Sequence, residues 1–195
     1  MFARTERLLL RPSWPEDAGP LYRAIADEGI VRNLARAPWP YSFEDAVRFV
    51  NGEQPELFPN FILYKRTEGA PVIVGACGLG EHGGAAELGY WIARPFWGQG
   101  FASEAGRAVV DIAKTVGHRK LVAAHFVDNP ASGAVLRKLG FRQTGKREER
   151  FSAGRGYAAS TILYEQDLTG DDADCSDAVA IWAMRPGPFE NRRAA

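Results

Sequence analysis

The run from Ala86 to Phe126 constrains the fold of this chain more than any other part of it. Ala86 to Ile92 alternates like a strand, and Trp97-Gly98-Gln99-Gly100-Phe101-Ala102 is a glycine loop. Ala102 to Val116 then places Ala102, Ala105, Val109, Ile112, Ala113 and Val116 on one helical stripe, Gly117 ends the helix, and Leu121 to Phe126 is an apolar strand. Strand, loop, helix and strand in that order predict a crossover between parallel neighbours, and so a mixed α/β domain.

The flanking segments add antiparallel material. Arg7 to Arg11 reads as a short strand, after which Ser13 and Glu16 have capping-box spacing before a helix carrying Leu21 and Ile25. Pro38 to Tyr41 is a stiff aromatic connector, and Ser42 with Asp45 opens a helix whose Phe43, Ala46, Val47 and Val50 share a face. Phe61 to Arg66 is strand-like. Val72 to Leu79 and Ala86 to Ile92 are joined by Glu81, His82, Gly83 and Gly84, the turn chemistry of a hairpin. Asp128 or Asn129 can cap a helix with Pro130 at its first position, and Gly140 stops it. Phe141 to Phe151 and Ala158 to Asp167 form a closing hairpin. The expected division is a domain over residues 1–168 and a weakly ordered tail over 169–195, whose Ile181, Trp182 and Met184 could dock or make a homodimer contact.

Composition excludes several classes. Twenty-four basic residues balance 24 acidic ones in 195 residues, with no dense basic stripe, which argues against nucleic acid as a partner. Apolar runs such as Leu8 to Leu10 fall far short of the ~20 residues that span a bilayer, and no signal-peptide core opens the chain, so a cytoplasmic protein with no membrane partner is expected. Cys77 and Cys175 match neither a disulfide framework nor a zinc spacing, and His82, His118 and His125 are not grouped with other ligands, so no metal is expected.

The loop between strand and helix offers backbone N–H groups at the positive end of a helix dipole, which suits a pyrophosphate. It lacks the third glycine of the dinucleotide fingerprint and the Gly-Lys-Ser/Thr of a P-loop. By itself it would serve equally as a tight turn. Its surroundings decide the matter: Ala86-Glu87-Leu88-Gly89-Tyr90-Trp91-Ile92, the loop with Ser103-Glu104-Ala105, Asp128-Asn129-Pro130-Ala131-Ser132, and Lys138-Leu139-Gly140-Phe141 occur in the order of the GNAT superfamily of acyl-CoA-dependent N-acyltransferases. The chain resembles that superfamily over about Glu6 to Leu168, and its Rim-type branch above all. Gly100 and Ala102 match the small positions of the family's cofactor loop, whereas Trp97 stands where Gln or Arg is usual.

That resemblance implies a mixed, mostly antiparallel sheet with a splayed parallel pair. It implies acetyl-CoA as the donor, held by Leu88, Tyr90 and Ile92, by Trp97, Gly98, Gln99, Gly100, Phe101, Ala102 and Ser103, and by Asn129 and Ser132. The acceptor is a primary amine, either a protein N-terminus or a small molecule such as an antibiotic, and Trp39, Tyr41 and Trp91 are the acceptor-side residues. A non-catalytic acyl-CoA sensor is the rival class.

The chemistry needs a neutral amine, and amines with reference pKa values near ~8 to ~10.4 must lose a proton. Glu87 shares the Gly89 and Trp91 face of its strand and matches the family's proposed base; a salt-bridged rim carboxylate is the alternative. Ser132 resembles the serine proposed to assist departure of the coenzyme A sulfur, although Asn129 and Ser132 also suit an ordinary helix start. Glu104, in the first helical turn, is expected to be structural.

Overall fold

Eight strands form one sheet, and the helices cover both faces of it. The computed structural model describes residues 1–66 and 70–171. In chain order the strands are β1 (Ala3–Arg4), β2 (Leu8–Arg11), β3 (Asn60–Lys65), β4 (Val72–His82), β5 (Ala85–Ile92), β6 (Lys120–Phe126), β7 (Arg142–Ser152) and β8 (Tyr157–Asp167). The helices are α1 (Ala18–Ile25), α2 (Glu28–Val31), α3 (Phe43–Val50), α4 (Phe101–Thr115) and α5 (Pro130–Lys138). Spatial order is β1-β2-β3-β4-β5-β6-β8-β7, and every pairing is antiparallel except β5 with β6.

Period-two alternation on β5 sends its side chains into two separate cores. Leu88 and Ile92 join Phe101, Ala105, Val109 and Leu121 under α4. Trp91 joins Leu21, Ile25, Tyr41, Ala46 and Ile62 under α1 and α3. Each fully buried aliphatic side chain contributes roughly 1.5–3 kcal/mol, so a slip of one residue on β5 would forfeit both faces together.

Local signals hold with one exception. Gly83 and Gly84 adopt φ of 59° and 80°, the left-handed pair a two-residue hairpin needs, and so β4 and β5 run farther into the turn than Leu79 and Ala86. Ser42 caps α3: its Oγ accepts from the Asp45 N–H at 3.1 Å while Asp45 accepts from the Ser42 N–H at 2.8 Å. The Ser13–Glu16 capping box does not form. Ser13 Oγ donates to the Val50 carbonyl, and Asp17 instead accepts from the Trp14 N–H at 2.8 Å, ahead of a 3₁₀ turn over Pro15–Asp17. Asp17 wins the cap because Arg11 already fixes its carboxylate through two 2.7 Å bonds.

The described chain ends in a 3₁₀ turn over Thr169–Asp171. Cys175 and the docking patch at Ile181, Trp182 and Met184 lie outside the described residues. No helix among the described residues is long and apolar enough to cross a membrane, and no group of three or more His, Cys, Asp or Glu side chains there could hold a metal.

Candidate active site

The parallel pair β5–β6 is bonded at two register positions only, Ala86 with Leu121 and Glu87 with Val122. Beyond Glu87 the strands separate, leaving the backbone of Leu88 to Ile92 without a partner on that side. A cleft of about 570 Å³ fills the gap, bordered by Glu87 to Ile92, by Ala124 to Phe126, by the glycine loop and by the start of α5.

The loop is built to leave donors open. Gly98 and Gly100 take φ of 73° and 82°, a region L side chains avoid, which turns the chain straight into α4. Among the described residues, the N–H groups of Gly98, Gln99, Gly100, Phe101, Ala102 and Ser103 donate to no protein acceptor. Unpaired amides at a helix N-terminus fit a pyrophosphate, and no Cβ narrows the approach at Gly98. Trp97 braces the loop where an amide or guanidine side chain is usual: its indole Nε1 donates to the Ile92 carbonyl at 2.6 Å, and Arg94 lies over its ring at 4.4 Å.

Glu104 does not confront a phosphate. Thr5 Oγ1, the Arg7 N–H and the Arg7 guanidinium all donate to its carboxylate. Burial raises this carboxyl's pKa, but those hydrogen bonds and the Arg7 charge outweigh burial and hold it below the usual carboxylate range. Arg7 also donates from Nη1 to the Gln99 carbonyl at 3.0 Å, which pins the loop.

At the other end of the cleft, Asn129 caps α5 by accepting from the Ser132 N–H at 3.3 Å. The Tyr90 hydroxyl lies 2.8 Å from Ser132 Oγ and donates to the Ser132 carbonyl at 3.1 Å. His125 is buried and satisfied, bonded through Nδ1 to the Phe126 carbonyl at 2.8 Å and through Nε2 to Tyr164 at 3.3 Å.

A second cavity of about 680 Å³ lies on the α1 and α3 side of β5, and it shares Leu34, Glu87, Gly89, Tyr90 and Trp91 with the cleft. Tyr41, Phe49 and Trp91 give it aromatic walls; Arg36, Arg48, Asp45 and Glu53 give it charges of both signs. Glu87 therefore stands where the two spaces meet. Its Oε1 accepts from Arg150 Nη1 at 2.5 Å, and Arg150 Nη2 also donates to His82 Nε2 at 3.0 Å.

The sequence-derived residues thus converge, with two exceptions. Leu88, Tyr90, Ile92, Trp97, Gly98, Gly100, Phe101, Ala102, Ser103, Asn129 and Ser132 all border the cleft together with Glu87. Gln99 does not; its side chain donates to the Pro95 carbonyl at 2.9 Å. On the acceptor side Tyr41 and Trp91 border the second cavity, whereas Trp39 borders neither space and is 41% exposed. The sequence reading missed Arg150, on β7, and Arg7, in the bend before β2, which reach the site from segments distant in sequence.

Residues 7–142 match the family model for the acetyltransferase (GNAT) domain. The chain belongs to the GNAT acetyltransferase family. A relative, the uncharacterized N-acetyltransferase p20 of Bacillus licheniformis, is 30% identical over 149 residues, covering 72% of this chain and 82% of that one. A GNAT-family acetyltransferase structure from Bacillus anthracis superposes with a TM-score of 0.73 at 23% identity, covering 86% of this chain and 98% of the other. RimL, a ribosomal α-N-protein acetyltransferase solved with coenzyme A, gives 0.71 at 22% identity over 88% and 100% of the two chains. The chain is an acetyltransferase.

Proposed function

We propose that this enzyme transfers an acetyl group from acetyl-CoA to a primary amine by direct attack. The observation that carries the reading is the meeting of the two cavities at Glu87, Tyr90 and Trp91, with open loop amides at the far end of one of them. Acetyl-CoA, when bound, supplies an acyl group activated as a thioester. The loop amides from Gly98 to Ser103 bind the pyrophosphate, and Asn129 faces the pantetheine arm. The Leu88 to Ile92 backbone supplies N–H groups for charge developing on the thioester oxygen.

Glu87 receives the amine's proton, directly or through an ordered water. Ser132 donates a hydrogen bond to the sulfur. Among the described residues no cysteine is placed for a covalent acyl-enzyme: Cys77 is buried, and burial pushes its thiol up to about 12.

A protein N-terminal α-amine is one acceptor, the class RimL acts on. A compact amine, a small metabolite or an antibiotic, is the second, favoured by a cavity within the range of small-molecule sites, roughly 300–1,000 Å³. Calorimetric titration with acetyl-CoA, followed by coenzyme A release over a panel of N-terminal peptides and small amines, tests the reading. Binding of acetyl-CoA with turnover of one amine class supports it. Binding without turnover of any amine would point to a sensor.

A further inference from the structure

We infer that the acceptor is an amine carrying an uncharged hydroxyl or amide a few atoms from its nitrogen, held by the Tyr41 hydroxyl and Asn60 Oδ1 over a floor of glycine backbone. The inference rests on the reading of the second cavity as the acceptor side, and it names the class of amine that this cavity takes.

Tyr41 carries the argument. It is 6% exposed and lines the second cavity, yet its hydroxyl has no hydrogen-bond partner among the described residues. The oxygen is not sealed in protein, so it opens on the cavity that its ring lines. A buried hydroxyl without a partner is costly, and one that faces a cavity takes its partner from there. Burial pushes the phenol up to about 12, so it keeps its hydrogen at neutral pH.

Asn60 supplies a second fixed group. Its Nδ2 donates to the Phe58 carbonyl at 3.2 Å and to the Leu79 carbonyl at 3.0 Å. Two carbonyl partners settle which end of the amide is nitrogen, and Oδ1, which only accepts, is left with no donor among the described residues. A Cβ on Gly78 would collide with that oxygen, so Oδ1 stands over the β4 backbone within the cavity lining.

The floor is bare for a reason that folding does not supply. Gly78 pairs with Gly89 and Gly80 with Glu87, and all three glycines line the cavity. A Cβ on Gly80 or Gly89 would meet nothing within 4 Å, and neither residue takes a positive φ. Glycine weakens a strand interior, so two that neither packing nor backbone conformation requires mark a place kept open for a bound molecule. Asn60 pairs with Gly78 and so lies two strands from β5. Strands ~4.8 Å apart and a rise of ~3.4 Å per residue put the Asn60 and Glu87 backbones roughly 12 Å apart; with both side chains allowed for, about three to six atoms fit between.

An amine bound along that floor has its nitrogen at Glu87 and its far end at Asn60. The far-end group must bring a hydrogen for Oδ1, which a carboxylate lacks. It is uncharged because the buried carboxylate of that wall, Asp45, is already engaged by Ser42 and Arg48, which leaves a second ammonium without a counter-charge. Arg36 and Glu53 also line the cavity, but both are exposed and screened by water.

The test measures coenzyme A release at saturating acetyl-CoA with aminoalkanols of about three to six carbons and with the alkylamine, diamine and amino acid of each length. The proteins are the native enzyme, Tyr41→Phe, Asn60→Leu and Gly80→Val. The best aminoalkanol should exceed its alkylamine by about tenfold in kcat/KM, and Tyr41→Phe and Asn60→Leu should each cut that ratio about threefold through KM. The acetyl-CoA dissociation constant should not change. Tyr41→Phe removes a group that bonds nothing in the protein, so its melting temperature should not fall, which keeps the proposal testable should Asn60→Leu not fold. Gly80→Val should melt no lower than the native enzyme and should raise KM for the aminoalkanol. A native enzyme that acetylates none of these amines, or that prefers the alkylamine, diamine or amino acid, would overturn the proposal. So would a Tyr41→Phe variant that keeps the native ratio, or a Gly80→Val variant with an unchanged KM. Failure of the native enzyme to bind acetyl-CoA would instead remove the enzyme reading as a whole, an outcome distinct from binding without the preference.

Discussion

Arg150 on β7 donates from Nη1 to Oε1 of Glu87 on β5 at 2.5 Å, reaching past the two strands, β6 and β8, that lie between them in the sheet. The side chains are 16% and 22% exposed, so this pair is more than a solvated surface contact. Glu87 is then both the salt-bridged carboxylate that its sequence position allows and the acid at the junction of the cavities. The guanidinium fixes which carboxylate oxygen remains for the acceptor. Glu87→Gln should slow acyl transfer by about a hundredfold with the acetyl-CoA dissociation constant unchanged. Arg150→Ala should slow it about tenfold in the native background and hardly at all in Glu87→Gln, since Arg150 works through Glu87. Steady-state kinetics on the four proteins check this; independent, multiplicative losses would contradict it.

Asp17 makes stability depend on pH in the acid range. Burial alone would push its carboxyl up, but hydrogen bonds from Arg11, Tyr64 and the Trp14 N–H, with the Arg11 charge, hold it below the usual carboxylate range. A carboxyl depressed in the folded state stabilises the fold fully above its unfolded value, near ~3.9, and that contribution is lost as pH falls through the folded value. Asp17→Asn leaves the Arg11 guanidinium, whose side chain is 10% exposed, without its partner charge and should cost about 3 kcal/mol at neutral pH. Denaturant melts from pH 7 down to pH 2 should show the native protein losing stability below about pH 4 more steeply than the variant, in which Glu104, Asp45 and Asp128, also held below the usual range, still titrate.

What was legible in the sequence was local. The alternation of Glu87, Leu88, Gly89, Tyr90 and Trp91, the positive-φ glycines at 98 and 100, and the Ser42–Asp45 cap depend on neighbours a few residues away, and each appears in the structure as read. Contacts made across the chain were not legible. Arg150 meets Glu87 across 63 positions and Arg7 meets Glu104 across 97, and no spacing rule reaches that far. The Ser13 cap failed for a related reason: Arg11 claims Asp17, which caps one residue further on at the Trp14 N–H, and Ser13 Oγ turns to the distant Val50 carbonyl.

Gly133 is buried where α5 packs on the sheet. A Cβ there would lie 2.5 Å from His125 Nε2 and 3.0 Å from the Tyr164 hydroxyl, and both groups are locked in the buried network with Gln143. Gly133→Ala, which ordinarily favours a helix, should therefore destabilise by about 1–3 kcal/mol through overpacking. Because Ser132 precedes it, displacement of α5 should also weaken coenzyme A binding. Thermal unfolding and calorimetry on the variant check both; an unchanged or higher melting temperature would show that the helix has room to move.

Arg7 links the glycine loop to the N-terminal segment before β2. Its guanidinium bonds Glu104, lies over the Phe101 ring at 4.3 Å and donates to the Gln99 carbonyl, so one side chain holds both the helix start and the loop before it. The Gln99 contact orders the run of open amides without occupying any of them. Arg7→Ala removes that tether and also releases the Glu104 carboxylate toward the pyrophosphate site, and both effects act against an anionic ligand. Loss of one hydrogen bond of about 1 kcal/mol corresponds to roughly a fivefold weaker acetyl-CoA complex, and the freed carboxylate should carry the loss beyond that at low ionic strength. Arg7→Ala combined with Glu104→Gln should recover the electrostatic part and leave the part due to loop disorder. Titration of the single and double variants at two salt concentrations separates the two contributions: recovery confined to low salt fits the argument, and identical affinities in all the proteins would refute it.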